Sequence, residues 1–144
     1  MSYKIRKLTL KDYIQFKRLE KRLYKSEKEH GIVETADWDH FKGSFITDNT
    51  ITFGAFKGRR LIGSVRFAYD DPFIYCLYVD GAFRRQGVAS ALINECINYY
   101  KKVTPEEDRV NIELNVYTYN ENAIKLYENL GFEKSEIVYS IKTK

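Results

Sequence analysis

The spacing of apolar and polar positions changes period several times along the chain, and each change marks an element. Tyr3 to Lys7 alternates, which predicts a short strand. Thr9 offers a helix N-cap, with Asp12 three residues on as its capping-box partner. Tyr13, Phe16, Leu19, Leu23 and Tyr24 then recur at helical spacing, until charge dissolves the pattern from Ser26 to Gly31. A second short helix is expected over Thr35–Phe45, with Trp38, Phe41 and Phe45 on one side. Ile51 to Phe56 reads as a strand, Lys57-Gly58-Arg59-Arg60 as a turn, and Leu61 to Tyr69 as the antiparallel partner. Asp70-Asp71-Pro72 breaks that run. Phe73 to Val79 is almost wholly apolar, which predicts a strand covered on both faces.

From Gly87 to Lys102 the period returns to that of a helix. Val88, Leu92 and Cys96 mark its apolar face, with Ala89, Ile93 and Ile97 beside them. Thr104 to Arg109 is a polar loop, Val110 to Val116 a strand, and Asn120 to Leu130 a helix stopped by Gly131. Phe132 to Lys144 is expected to supply a final strand pair. The order predicts an α/β fold, a mixed sheet with helices on both faces, in a single domain over 1–144. There is no internal repeat or low-complexity linker.

Composition narrows the class. Of 144 residues, 44% are hydrophobic and 31% charged, an ordinary globular balance. Twelve Tyr and nine Phe can line a cleft that is apolar and hydrogen-bonding at once, although most serve a core equally well. The net charge of +4 favours an anionic ligand but is too small for a nucleic-acid footprint. Lys17, Arg18, Lys21, Arg22 and Lys25 are interleaved with acids, as on a solvated helix face. Cys76 and Cys96 sit in apolar runs and read as buried thiols in a reducing compartment. His30 and His40 lie far from both, so no metal-ligand spacing exists. The chain begins with no apolar signal segment and has no membrane-length run, so a cytoplasmic protein is expected.

One segment carries chemistry. In Leu77-Tyr78-Val79-Asp80-Gly81-Ala82-Phe83-Arg84-Arg85-Gln86-Gly87-Val88-Ala89-Ser90 a strand runs through a short loop directly into a helix. The first helical turn leaves backbone N–H groups without partners and carries the positive end of the helix dipole. Such a start binds anions. Gly87 and Ala89 keep side chains small, so a pyrophosphate can approach, and Arg84 and Arg85 add positive charge. No Walker-type Gly-x-x-x-x-Gly-Lys-Ser/Thr string is present, which argues against a mononucleotide site.

The string Arg84-x-x-Gly87-x-Ala89 resembles the acetyl-CoA motif of the GNAT superfamily of N-acetyltransferases. A second string, Asn120-x-x-Ala123-x-x-x-Tyr127-x-x-x-Gly131-Phe132, is similar to that superfamily's downstream signature. The likeness covers about residue 51 onward. It implies a central, mostly antiparallel sheet of six to seven strands and acetyl-CoA as co-substrate. The backbone at Leu77, Tyr78 and Val79 would pair with the pantetheine arm as an added strand. The N–H groups from Arg85 through Gln86, Gly87, Val88 and Ala89 to Ser90 would hold the pyrophosphate. Asn120 would hydrogen-bond the pantetheine, and Tyr127 would stand near the sulfur.

The implied reaction is direct attack of an amine on the thioester. The amine must lose a proton, the carbonyl oxygen needs a donor, and the thiolate needs a proton, for which Tyr127 is the candidate. The base is less clear. Members acting on protein N-termini carry a glutamate five residues before the motif asparagine, where this chain has Asn115. Phe73 and Tyr75 occupy other positions where relatives place Glu or His. Glu113, Tyr75, Asp70, Asp71 and the acids of the early helices remain candidates. Cys76 has no base beside it in the sequence pattern and is a poor acyl carrier. Glu27, Glu29, Glu34, Asp37 and Asp39 make an acidic stretch that reads first as a solvated surface and second as an attractor of a cationic amine such as a polyamine or aminosugar. A non-catalytic CoA-binding sensor of the same fold is the alternative, and a homodimer is a further expectation.

Overall fold

A computed structural model describes residues 2–31 and 49–143. The helix expected over Thr35–Phe45, with Trp38, Phe41, Phe45, His40 and the acids Glu34, Asp37 and Asp39, lies outside the described residues. Among those described, five strands form one sheet in the order β1-β2-β3-β4-β5. They are β1 (Lys4–Lys7), β2 (Thr50–Lys57), β3 (Arg60–Ala68), β4 (Phe73–Val79) and β5 (Glu113–Leu114). The first four are antiparallel, and β5 joins β4 in parallel. Three helices flank them: α1 (Tyr13–Glu29), α2 (Val88–Val103) and α3 (Glu121–Asn129).

Thr9 and Asp12 start α1 as the capping box predicts. The Asp12 carboxylate accepts from the Thr9 N–H at 2.9 Å and takes both Arg6 guanidinium nitrogens at 2.8 and 2.9 Å. Hydrogen bonding from Arg6 holds this carboxyl below its ordinary range. The helix continues past the expected break at Ser26 and reaches Glu29. Leu23, Glu27 and His30 keep the phase of Phe16, and this stripe runs from the buried Phe16 out to the cleft, where Leu23 and Glu27 are half-buried and His30 is exposed.

The sheet has two unlike faces. Val65 and Phe67 point to one, where they join Phe53, Leu92, Ile93 and Cys96 in a dry cluster under α2. Ser64 and Arg66 alternate to the other face, under α1, beside the smaller cluster of Leu8, Phe16, Leu19, Phe56 and Leu61.

Four expectations change. The sheet has five described strands rather than six or seven. The strand foreseen over Val110–Val116 shrinks to Glu113–Leu114. The Val110 N–H is used by the Tyr100 hydroxyl at 3.0 Å, and Arg109 is bound to the carbonyls of Lys101 and Thr104, so this stretch follows α2 instead of the sheet. The final pair foreseen over Phe132–Lys144 is absent from the described residues 132–143, where Ile137, Val138, Tyr139 and Ile141 are exposed. A strand needs a neighbouring ladder, and a two-residue β5 offers almost none. Finally, β4 is half-buried at five of its seven positions rather than covered on both faces. Its open side is the wall of a cleft.

Candidate functional site

The cleft exists because β4 and β5 part company. They pair only at Phe73↔Glu113 and Ile74↔Leu114. Immediately afterwards Cys76 takes a left-handed conformation (φ 55°). The ladder with β3 jumps there from Arg66↔Tyr75 to Ser64↔Tyr78. Cys76 and Leu77 therefore share the space opposite the single residue Val65, which is a β-bulge. The extra residue places Tyr75 and Tyr78, three apart, on the same α1-facing side of the sheet. It also bends β4 away from the chain after Leu114. The gap measures about 930 Å³, in the range of small-molecule sites. Cys76, Leu77, Tyr78 and Val79 line one wall; Asn115, Val116, Tyr117, Tyr119 and Asn120 line the other.

At the top of β4 the chain turns into α2. Asp80 anchors this turn, taking Arg22 of α1 and, at 3.1 Å, Arg60 of β3. Burial pushes its carboxyl up, but the Ala82 N–H and the two arginines outweigh that and hold it below the ordinary value. Arg84 does not reach freely into solvent. Its Nε donates to the Val79 carbonyl at 3.1 Å, and its guanidinium lies 5.5 Å from the Tyr78 ring centroid. Arg85 and Gly87 both have positive φ, 61° and 79°. Such alternation folds successive N–H groups into an anion-binding concavity. The first bond of α2 runs from the Ala91 N–H to the Gly87 carbonyl at 3.0 Å, so helix geometry leaves the Val88, Ala89 and Ser90 N–H groups pointing onward. All three residues line the cleft.

The far wall begins α3. The Asn120 side-chain oxygen accepts from the Ala123 N–H at 3.2 Å, an N-cap that leaves the Asn120 amide as a donor beside the cleft. At the other end the Phe132 N–H bonds the Tyr127 carbonyl at 2.9 Å and the Gly131 N–H bonds the Glu128 carbonyl at 3.0 Å, with Gly131 at φ 99°. This is a Schellman C-cap, complete with its apolar contact, the Tyr127 and Phe132 rings meeting edge-on at 6.0 Å. The Tyr-x-x-x-Gly-Phe string thus has a folding role of its own.

The expected site residues divide accordingly. Leu77, Tyr78, Val79, Arg84, Arg85, Gly87, Val88, Ala89, Ser90 and Asn120 converge on the cleft. Gln86 is exposed and outside its lining. Tyr127 is also outside the lining and packs on the main core, behind Ala123 and Leu126, which do line it. Burial pushes the Tyr127 phenol up to about 12. Glu113 is exposed on β5, at the vertex where the strands diverge. Cys96 is fully buried and burial pushes its thiol up, whereas Cys76 is only half-buried.

One group escaped the sequence reading. Glu20, amid the charges of α1, is fully buried and neither carboxylate oxygen has a hydrogen-bond partner among the described residues. Burial pushes it up to about 8, with Arg66 pulling down and Glu27 pushing up. The only signal was its phase, four residues after Phe16 and three before Leu23. Above it, Leu23, Ser26, Glu27 and His30 line the cleft, with His30 stacked on Tyr119 at 3.9 Å and Tyr119 on Tyr117 at 5.8 Å. Among the described residues no His/Cys/Asp/Glu cluster could hold a metal ion, and no helix is long and apolar enough to cross a membrane.

In this arrangement strands splay beside an N–H-rich helix start. The pattern of the Acetyltransferase (GNAT) family matches residues 13–132, and the chain belongs to that family. It is 43% identical over 65 residues to an uncharacterised N-acetyltransferase of Methanocaldococcus jannaschii, covering 45% of this chain and 27% of that protein. It is 36% identical over 96 residues to human N-alpha-acetyltransferase 30, covering 62% of this chain and 25% of that protein. The chain therefore matches only about a quarter of the length of these curated relatives. In fold it is similar to AAC(6')-Iy in complex with the bisubstrate analogue CoA-S-monomethyl-acetylneamine, with TM-score 0.80, 18% identity, and coverage of 100% of this chain and 99% of that one.

Proposed function

We propose that the protein moves an acetyl group from acetyl-CoA to a primary amine by direct attack of the amine on the thioester. The carrying observation is the open edge of β4, from the bulge at Cys76 to Val79, leading straight to the N–H groups at the start of α2. The Leu77–Val79 backbone pairs with the pantetheine amides as a guest strand. The N–H groups from Arg85 to Ser90 receive the pyrophosphate. Arg84, fastened to Val79, shapes this loop and adds charge. The Asn120 amide donates to the pantetheine arm. A strand N–H near Leu77 or Val79 stabilises the charge that grows on the carbonyl oxygen.

Tyr127 is assigned to protonating the leaving thiolate. With its phenol pushed up to about 12 it stays protonated at neutral pH, so it donates and does not accept. Tyr127→Phe is expected to lower kcat at least about tenfold while leaving acetyl-CoA affinity nearly unchanged. Unchanged turnover removes Tyr127 from this role and leaves it the C-cap. Glu113, exposed at the strand vertex, would take the amine's proton only through solvent.

A cationic amine is the acceptor class that the cleft mouth supports, where Glu27 and the His30, Tyr119 and Tyr117 rings line the opening. Neamine, a short peptide with a free N-terminus, and spermidine form a rational panel. Thiol release from acetyl-CoA tests them, and calorimetry tests binding. No acetyl-CoA binding at high protein concentration sinks the reading. Asn115, standing where a glutamate base is usual, favours a second reading as a CoA-binding sensor; binding without thiol release on any acceptor would select it.

A further inference from the structure

The α1-facing side of the sheet carries a polar layer that the assignments above do not use. Glu20 and Ser64 are fully buried, and the Glu20 oxygens and Ser64 Oγ have no hydrogen-bond partner among the described residues. Arg66, 2% exposed, lies in the same layer. A buried carboxyl in an apolar setting is costly. Its neighbours place it next to the cleft on two sides. Along α1, Glu20 is one turn below Leu23 and two turns below Glu27, both of which line the cleft. Across the sheet, Ser64 pairs with Tyr78 and Arg66 with Tyr75, on either side of the bulge that opens the cleft.

We propose that Glu20 is the proton acceptor that readies the acceptor amine, working from beneath the cleft through Glu27 and solvent held against Ser64. This deepens the acetyltransferase reading and rests on it. In the first step an N–H bond of the bound ammonium breaks and an O–H bond forms on the Glu20 carboxylate, with the proton carried between them by solvent. The amine lone pair then attacks the thioester carbon. The tetrahedral adduct collapses with loss of the CoA sulfur, Tyr127 donates its phenol proton to that thiolate, and the remaining ammonium proton returns to the Tyr127 oxygen. Glu20 afterwards returns its proton to bulk, so the net products are amide, thiol and one proton.

The electrostatics fit this duty. The charges acting on Glu20 are Arg66 from β3 and Glu27 from its own helix, with the phenols of Tyr75 and Tyr78 facing the same side from β4. Burial pushes the carboxyl up to about 8, so it exchanges a proton near neutral pH, as a working base must. Because Glu20 acts at a distance, it positions the proton and does not touch the acyl carbon.

The test compares the full chain with Glu20→Gln and Glu20→Asp, using the fastest acceptor of the neamine, peptide and spermidine panel. The wild type is expected to show an acid limb in kcat/KM with an apparent pKa near 8. Glu20→Gln should lose that limb and about tenfold or more in kcat at pH 7, with KM for acetyl-CoA unchanged. Glu20→Asp should restore part of the limb. A Gln variant with the wild-type profile, or one slowed equally at every pH with the limb intact, overturns the proposal while sparing the acetyltransferase reading. A wild type that transfers to none of the three acceptors overturns both. Thermal unfolding of each variant identifies a rate loss caused by misfolding, and in that event the Asp profile alone decides.

Discussion

The two faces of the sheet bury side chains to the same depth and spend them differently. Under α2, Phe53, Val65, Phe67, Leu92, Ile93 and Cys96 make an apolar layer together with the Tyr100 ring, and burial pushes the Cys96 thiol up so that it stays neutral. Under α1, three residues of equal burial are Glu20, Ser64 and Arg66. Apolar burial contributes about 25 cal/mol per Å², whereas an isolated buried carboxylate opposes folding. The α2 face is held by apolar packing, whereas the α1 face sets its polar layer beside a smaller apolar cluster of Leu8, Phe16, Leu19, Phe56 and Leu61. The contrast teaches where to look for chemistry in a small α/β domain: on the face that forgoes stability.

The largest effect that can break this contrast is Phe67→Ala. A fully buried ring on the dry face should cost about 3–5 kcal/mol in denaturant unfolding, while the folded fraction keeps its acetyl-CoA affinity. An equal cost for Glu20→Met would mean that both faces are structural. We expect the reverse sign there, a stabilisation at pH 8–9.

The next effect is a pH dependence. Glu20 in the folded chain sits near 8 against an ordinary 4.5, so between these values the folded state binds more protons than the unfolded. Its contribution is complete below pH 4.5 and is lost as pH rises through 8. Stability measured from pH 5 to 9 should fall, on the order of 4 kcal/mol at most, and Glu20→Gln should flatten the slope. Asp12 and Asp80 act oppositely. Held below 3.8, they stabilise above that value and lose the benefit in stronger acid. A flat wild-type curve from pH 5 to 9 would mean that water reaches the Glu20 carboxyl in the folded chain.

Smaller effects test the loop. A side chain at Gly87 would meet nothing nearer than the Tyr3 hydroxyl at 3.7 Å, so its constraint is conformational rather than steric. Gly87→Ala should cost about 1–2 kcal/mol of stability and weaken acetyl-CoA in calorimetry by about tenfold, since relaxing φ turns the N–H groups away. Asp80→Asn is expected to cost about 1 kcal/mol, because Arg22 and Arg60 are half-exposed and water replaces much of what they lose.

What the sequence disclosed follows the range of the forces. The Thr9–Asp12 cap, the Asn120 N-cap, the stop at Gly131 and the glycine-bearing start of α2 are decided within five residues of chain, and all were legible. The brevity of β5 was not, because it depends on Tyr100 and Arg109 fastening the chain to α2. Nor was Tyr127's place behind the cleft wall, which the Schellman contact with Phe132 sets. Glu20 was hidden by composition: amid Lys17, Arg18, Lys21 and Arg22 it looks like one more solvated charge. Only its phase on the stripe of Phe16 and Leu23 marked it.

The bulge in β4 has one more consequence. Side-chain parity in a strand counts residues, so one surplus residue inverts every orientation beyond it. Tyr75 and Tyr78 are neighbours in space only because the count between them is odd. This makes the strand sensitive to length more than to letter. Cys76 can exchange for residues that accept a left-handed backbone, Gly or Asn, with little disturbance. Deleting it would restore the regular ladder, with Leu77 opposite Val65 in the dry core and Tyr78 still opposite Ser64, and would remove the bend that parts β4 from the chain after Leu114. In this fold a frame of one residue separates a binding cleft from an ordinary closed sheet.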